Sequence, residues 1–214
     1  GNYGRILSEY MYLKKFRENR FNKFLEIEGL NFISEIKKNN EQVVFISGHF
    51  NNFELMAMEI EKSGINLAAI YRPLNNFFLN KIMVYLRKNY ICKNQLVKGI
   101  SGVRDSFKLF KEGVSLALMI DQRLTEGIKV DFFGKNASTT TLPAQFVKKF
   151  NAEIIPVYIF RDKNFKFKMK INRPIKFDEN ENLESITSKL NKWIEKEIVK
   201  HPEQWIWSHN RWKI

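Results

Sequence analysis

The chain has 214 residues, a net charge of +13, 44% hydrophobic and 28% charged residues, and one cysteine. A chain of this length can bury about 70% of its unfolded surface, so one domain with its own core is expected and a disordered chain is excluded. A single cysteine excludes an internal disulfide framework and suits a reducing compartment.

The apolar run Leu116–Ile120 falls far short of the roughly 20 residues a spanning helix needs, and no apolar block near the start suggests a signal peptide. The chain begins with Gly1 rather than Met, so a native N-terminal segment is expected to be missing from it. The positive charge favours an anionic partner: nucleic acid, anionic lipid or an acidic carrier protein. Part of it goes with the abundance of Lys, Asn, Ile and Phe expected of a compositionally biased genome.

In chain order, residues 5–39 read as helical, with Phe21, Phe24, Leu25, Ile27 and Phe32 spaced around Gly29. Val43–Ser47 is a short apolar run of buried-strand type. Asn52–Lys62 follows as a helix, with Phe53, Met56, Ala57 and Ile60 on one face. Leu67–Tyr71 is strand-like and Phe77–Tyr90 helical. Ser101 can cap a helix through Val103, Phe107 and Phe110 that Gly113 ends.

Ser115–Ile120 is the next strand. Thr141 and Pro143 open a helix through Phe146, Val147 and Phe150, followed by the strand Ile154–Phe160. Phe165–Ile171 alternates apolar residues with lysines, which predicts one buried face and one lysine face that would also protect a sheet edge. Leu183, Ile186, Leu190, Trp193, Ile194 and Ile198 mark a last amphipathic helix that stops at His201-Pro202. No repeat, linker or low-complexity tract interrupts the series. It predicts an α/β fold with a mostly parallel central sheet flanked by helices, in one domain over residues 1–214.

Sites in such sheets form at the carboxyl ends of the strands. His49 follows Val43–Ser47, Arg72 follows Leu67–Ala69 and Asp121 follows Ser115–Ile120. His49 and Glu54 admit two readings. Asn51 and Glu54 could form a capping box at the start of a helix, leaving His49 in a loop. Alternatively His49, lying ahead of the helix, turns back so that Glu54 accepts from its Nδ1–H and Nε2 is left as a base. On one helix a spacing of five would set the pair roughly 140° apart, so only a loop position allows them to meet.

Five blocks resemble one family. Gly48–Glu54 (GHFNNFE) is similar to an H-x-x-x-x-E signature, and Tyr71–Asn76 (YRPLNN) to a second block. Gly102–Asp105 (GVRD) with Asp121-Gln122 resembles a third. Asp131–Thr141 (DFFGKNASTTT) and His201–Lys213 (HPEQWIWSHNRWK) resemble the remaining two. Together they identify the chain as similar to the bacterial lipid A biosynthesis acyltransferases, the lauroyl/myristoyl group of the glycerolipid acyltransferase superfamily. Asn51 and Phe53 depart from the Gly and Trp common there. The family's N-terminal anchor helix is not among these residues.

The resemblance implies a glycerolipid-acyltransferase-like fold. It also implies transfer of a fatty acyl chain from acyl carrier protein to a hydroxyl of a lipid A precursor at the cytoplasmic face of the bacterial inner membrane. His49 is then the general base and Glu54 its orienting carboxylate. Asn51, Asn52, Arg72, Pro73, Arg104, Asp121, Gln122 and Thr140 are expected to bind substrate, with the arginines on anionic groups. No cofactor or metal is implied; the acyl donor is a substrate, with acyl-CoA a possible replacement for the carrier protein. An anionic membrane surface is the further expected partner.

Plainer readings stand beside several of these: a surface ion pair for Arg72, an exposed helix charge for Arg104 and a strand-end turn for Asp121-Gln122, with simple N-capping for the neighbouring Thr141. Trp205–Trp212 suits either a membrane interface or a terminal strand packed into the core. Cys92 reads as structural. Two other functions compete: acylation of another glycolipid or glycerophospholipid, and a basic nucleic-acid-binding module. The glycerol-phosphate branch of the superfamily typically carries Asp in place of Glu54 and a P-E-G-T block, and a nucleic-acid module a recognisable motif; no such block or motif is present.

Overall fold

The computed structural model describes residues 2–207 and 209–213. Its centre is a seven-stranded sheet of β1 (Leu25–Glu28), β2 (Val44–Ser47), β3 (Leu67–Tyr71), β4 (Asn94–Val97), β5 (Ser115–Met119), β8 (Ile154–Arg161) and β9 (Phe167–Ile171). The spatial order is β1-β9-β8-β2-β5-β3-β4. β8, β2, β5, β3 and β4 run parallel; β9 is antiparallel to β8, and β1 pairs parallel with β9. β6 (Ile128–Phe132) and β7 (Lys135–Thr139) form a separate antiparallel hairpin. The α/β, mostly parallel architecture expected from the alternation of elements is the one found.

Alternation along the strands divides the core in two. Phe45, Leu67, Ile155, Val157 and Met169 face one side. There they meet α1 (Asn2–Glu9), α2 (Leu13–Arg17), α3 (Leu30–Asn39) and α4 (Glu54–Lys62) through Ile6, Leu13, Phe16, Ile33, Leu55 and Met58. Val44, Ile46, Leu116, Leu118 and Ile154 face the other side. That side is covered by α6 (Ile100–Lys111), α7 (Leu142–Phe150) and α8 (Leu183–Lys200). Phe107 stacks on Phe146 at 4.4 Å, and Phe110 and Phe150 complete the aromatic seam. β2 is buried along its whole length, which explains why its sequence is a continuous apolar run rather than an alternating one.

Several boundaries differ from the sequence expectation. Residues 5–39 are broken by two 3₁₀ turns and by β1, whose Leu25 and Ile27 alternate with Glu26 and Glu28. Four residues are too few for period two to stand out against a helical spacing. Gly29, at φ +86°, then turns the chain into α3. β4 and the hairpin were also not foreseen; Phe133 and Gly134 both take positive φ at the hairpin turn, the geometry of a tight two-residue loop. The lysines of β9 do not guard an edge, because β1 lies outside it. Lys168 and Lys170 stand opposite Glu26 and Glu28, at 3.5 and 3.9 Å. Ser101 lies inside α6, whose N-cap is Gly99. Gly113 does follow α6 with φ +88°, and α8 does stop just before Pro202.

Candidate functional site

Two parallel neighbours build the centre of the site. β2 and β5 pair with Ser47 opposite Met119, and the Ile120 N–H donates to the Ser47 carbonyl at 3.0 Å. The same register carried two residues further sets His49 opposite Asp121. His49 Nδ1 lies 2.7 Å from Asp121 Oδ1, and the His49 backbone N–H donates to Oδ2 at 2.8 Å. Trp205 Nε1–H donates to the same Oδ2 at 2.7 Å. Gly48 permits this closeness: a Cβ there would come within 2.9 Å of the Phe50 ring and 3.3 Å of the Asp121 carboxyl.

Asp121 is 2% exposed. Burial alone would raise its pKa, but the His49 charge, the two hydrogen bonds from His49 and the Trp205 indole together hold it below the ordinary carboxylate value. An ionised, acceptor-only carboxylate against Nδ1 keeps the ring proton on Nδ1. Nε2 then carries the free lone pair and has no hydrogen-bond partner among the described residues. Phe53 meets the imidazole edge-on at 4.8 Å and limits its rotation. A mostly buried histidine, its side chain 15% exposed, with a buried carboxylate behind it can accept a proton from a hydroxyl and stabilise the resulting imidazolium.

The chain after α8 clamps this loop. Asn51 N–H donates to the Gln204 carbonyl and Ile206 N–H to the His49 carbonyl, both at 3.0 Å, with a bridge between Phe50 and Trp205. Asn51 takes φ +40°, a conformation asparagine tolerates better than most residues. Arg211, fully buried, fixes the tail to the hairpin through the Ser138 carbonyl at 2.7 Å and Thr139 Oγ1 at 2.5 Å. Burial pushes its pKa down to about 10, against the pull of Asp121. His209 Nε2 accepts from the Arg123 N–H at 2.9 Å, which requires an unprotonated Nε2. Burial also lowers the pKa of His209. Trp205 is therefore packed into the core, although not as a strand, while Trp207 is 55% exposed.

Glu54 does not orient His49, and this corrects the sequence expectation. Its Oε1 accepts from Arg87 Nε at 2.9 Å, from Arg87 Nη2 at 2.5 Å and from the Tyr10 hydroxyl. Nor does it form the capping box: α4 starts at Glu54 with Phe53 as an uncapped N-cap. Burial opposes the charge on Arg87, but Glu54 and Tyr10 outweigh it and raise its pKa. Burial and the Glu54 charge raise that of Tyr10, which stays a donor. Arg87 reaches Glu54 from a π-helical turn (Arg87–Ile91) that directly follows α5 (Phe77–Leu86). Cys92, next along the chain, has its thiol pushed up to about 12 by burial and by Glu61 and Glu54, so it stays an unreactive thiol.

The other expected binding residues are dispersed. Asp121 is too buried and too fully bonded to be a substrate contact. Asn51 and Asn52 are buried in a network with Gln204, Glu9 and Arg161. Arg72, Pro73 and Gln122 do lie just past β3 and β5, on the edge that carries His49. Arg72 is exposed and has no partner among the described residues. Arg104 is on the outside of α6, 3.7 Å from Asp105. Thr140 Oγ1 accepts from the Leu142 N–H at 3.2 Å, ahead of α7. Thr141 does not cap the α7 backbone; its hydroxyl accepts from the Gln145 side chain. Among the described residues no cluster of His, Cys, Asp and Glu could hold a metal ion. Two shallow grooves, one around Ile33 and Ser63 and one along α8 at Trp193, contain none of these site residues.

Fold and site together define an α/β protein with a histidine–carboxylate pair at the carboxyl edge of a parallel sheet. This fold is shared with the crystal structure of the 1-acyl-sn-glycerophosphate (LPA) acyltransferase from Thermotoga maritima. The TM-score is 0.50 at 14% identity, over 96% of this chain and 85% of that one. The family model for bacterial lipid A biosynthesis acyltransferases matches residues 1–214, and the chain belongs to that family.

The chain is 26% identical over 205 residues to a lipid A biosynthesis acyltransferase of Haemophilus influenzae, covering 92% of this chain and 63% of that one. It is 25% identical to the lipid A biosynthesis palmitoleoyltransferase of Escherichia coli, covering 92% and 64%. The lipid A biosynthesis myristoyltransferase of the same organism matches at 22%, covering 84% and 56%. The chain thus spans less than two thirds of the length of these curated relatives.

Two stability predictions come from the buried charges. Glu54→Ala leaves the Arg87 guanidinium buried and unpaired, and should cost about 3–5 kcal/mol in urea unfolding; adding Arg87→Met should recover most of it. Asp121 has a folded pKa below its unfolded value of about 3.9. Its contribution is therefore present above about pH 4 and lost as pH falls through the folded value. Unfolding free energies of the wild type and Asp121→Asn should differ near neutral pH and converge in acid.

Proposed function

We propose that the protein transfers a fatty acyl chain from the thioester of acyl carrier protein to a hydroxyl of a lipid A precursor, with His49 as general base. The observation that carries this reading is the His49–Asp121 pair, with Nε2 at the edge of the sheet and without a hydrogen-bond partner among the described residues. Family membership supports the reaction class and a lipid A precursor as acceptor.

In the proposed step the acceptor oxygen attacks the thioester carbonyl as its proton passes to His49 Nε2. Asp121, already bonded to Nδ1, stabilises the imidazolium that forms. Collapse of the tetrahedral intermediate breaks the carbon–sulfur bond, and the imidazolium returns the proton to the leaving thiolate. No acyl-enzyme forms and no metal or cofactor takes part. Glu54 serves indirectly, by holding Arg87 and Tyr10 against the first turn of α4. Arg72, exposed past β3 and without a partner among the described residues, would meet an anionic group of a substrate. The excess of basic residues suits encounter with an acidic carrier protein at the cytoplasmic face of the inner membrane.

His49→Ala should lower kcat by about 10²–10⁴, the range of general-base catalysis. Asp121→Asn should lower kcat comparably with KM little changed, because it alters the ring tautomer rather than binding. The assay is acyl transfer from an acyl carrier protein thioester to a lipid A precursor, with the product read by mass spectrometry. Folded variants of both residues that kept wild-type turnover would rule the mechanism out. Faster acylation of a glycerophospholipid, or equal use of acyl-CoA, would reassign acceptor or donor.

A further inference from the structure

α5 is a ten-residue helix with no buried residue. Phe78, Ile82 and Tyr85, at i, i+4 and i+7, are 75%, 55% and 61% exposed, and Phe77 and Leu79 beside them are 63% and 54% exposed. Met83 and Leu86, on the flank of the helix next to that face, pack on the core. The helix is thus fixed in place while presenting an apolar face that no other described residue covers. It follows β3 by five residues, so it begins at the carboxyl edge of the parallel sheet, as the His49 loop does. β4 and α6 add Val97 and Ile100 at that edge, 43% and 91% exposed. An apolar surface of this kind on a folded chain marks an interaction site.

The charge around it selects the partner. Between Glu61 and Asp105 the sequence has eight lysines and arginines and no Asp or Glu. Arg87, which meets Glu54, is internal to the fold, whereas Lys81, Lys88 and Lys98 are exposed and form no ion pair among the described residues. The Lys81 ammonium lies 4.3 Å from the centre of the Phe77 ring, so its stem runs along the apolar face while its charge stays at the rim. Ten helical residues extend about 15 Å, half the hydrocarbon thickness, so α5 cannot cross a bilayer but can lie in its surface.

We infer that α5, with Val97 and Ile100, docks the protein on an anionic lipid bilayer, its apolar face among the acyl chains and its lysines at the headgroups. Aromatic and aliphatic side chains on one face with cations at the margin are the pattern of an interfacial helix. The placement would set the edge that carries His49 at the lipid–water boundary. The inference does not depend on the acyl-transfer reading, since a lipid surface is bound whether or not chemistry occurs.

The test is co-sedimentation of the 214-residue chain with vesicles of phosphatidylethanolamine and phosphatidylglycerol, and with vesicles of phosphatidylcholine alone. The wild type should bind the anionic vesicles and bind the neutral ones more weakly. Phe78→Ser with Ile82→Ser should weaken binding by at least about tenfold. Lys81→Glu with Lys88→Glu should weaken it at least about fivefold at low salt. Val199→Ser, an exposed apolar position on α8, should change nothing, and all variants should keep the wild-type melting temperature. The charge pair keeps the test valid if the apolar pair fails to fold. No vesicle binding by the wild type, or undiminished binding by either double variant, would overturn the inference. It would also fall if the same residues instead mediated dimerisation, or bound an acidic carrier protein and no vesicle.

Discussion

A carboxylate with almost no contact with water sits where β2, β5 and the C-terminal tail meet, and the geometry of the site depends on it. Asp121 takes one hydrogen bond from the His49 ring, one from the His49 backbone and one from the Trp205 indole. Burial alone would favour its neutral form, so these donors are what keep it ionised. Each donor also fixes something: the ring bond sets the tautomer, the backbone bond sets the turn at Gly48, and the indole draws in the tail. The site is therefore a consequence of how a buried charge is satisfied, with His49 as one of its ligands.

The second buried charge, Glu54, follows the same rule with different partners. Arg87 and Tyr10 satisfy it, and together they join α4 to the α5 end and to the N-terminal 3₁₀ turn. A buried pair of this kind adds little net stability over an apolar replacement, although removing one partner alone is costly. It also removes Glu54 from the histidine. Two carboxylates within reach of one loop are thus divided between one that orients the imidazole and one that ties down the helix behind it. Glu9 and Arg161, with Asn51 and Asn52, form a third such knot on the same loop.

Much of the architecture was legible in the sequence because the strands of this sheet are short apolar runs and the helices between them are amphipathic. Leu67–Tyr71 was located to the residue, and His49, Arg72 and Asp121 were placed at strand ends. What the sequence withheld is lateral order. β2 and β5 are neighbours although β3 and β4 lie between them in the chain; without that order nothing sets Asp121 beside His49, and the local Glu54 is the partner the sequence suggests. Arg87 and Tyr10 carried no signal, since a pairing across 33 or 44 residues leaves no periodicity. β1 was hidden for a different reason: its pairing with β9 is long-range, and four residues of alternation also fit a helix.

The most direct measurement of the central claim is the tautomer of His49, read from long-range ¹⁵N–¹H correlations of its imidazole at neutral pH. If Asp121 holds the ring, the wild type and Glu54→Gln both show the Nδ1–H tautomer, while Asp121→Asn shifts the ring toward Nε2–H. A shift in Glu54→Gln with none in Asp121→Asn would contradict the account and return the orienting role to Glu54.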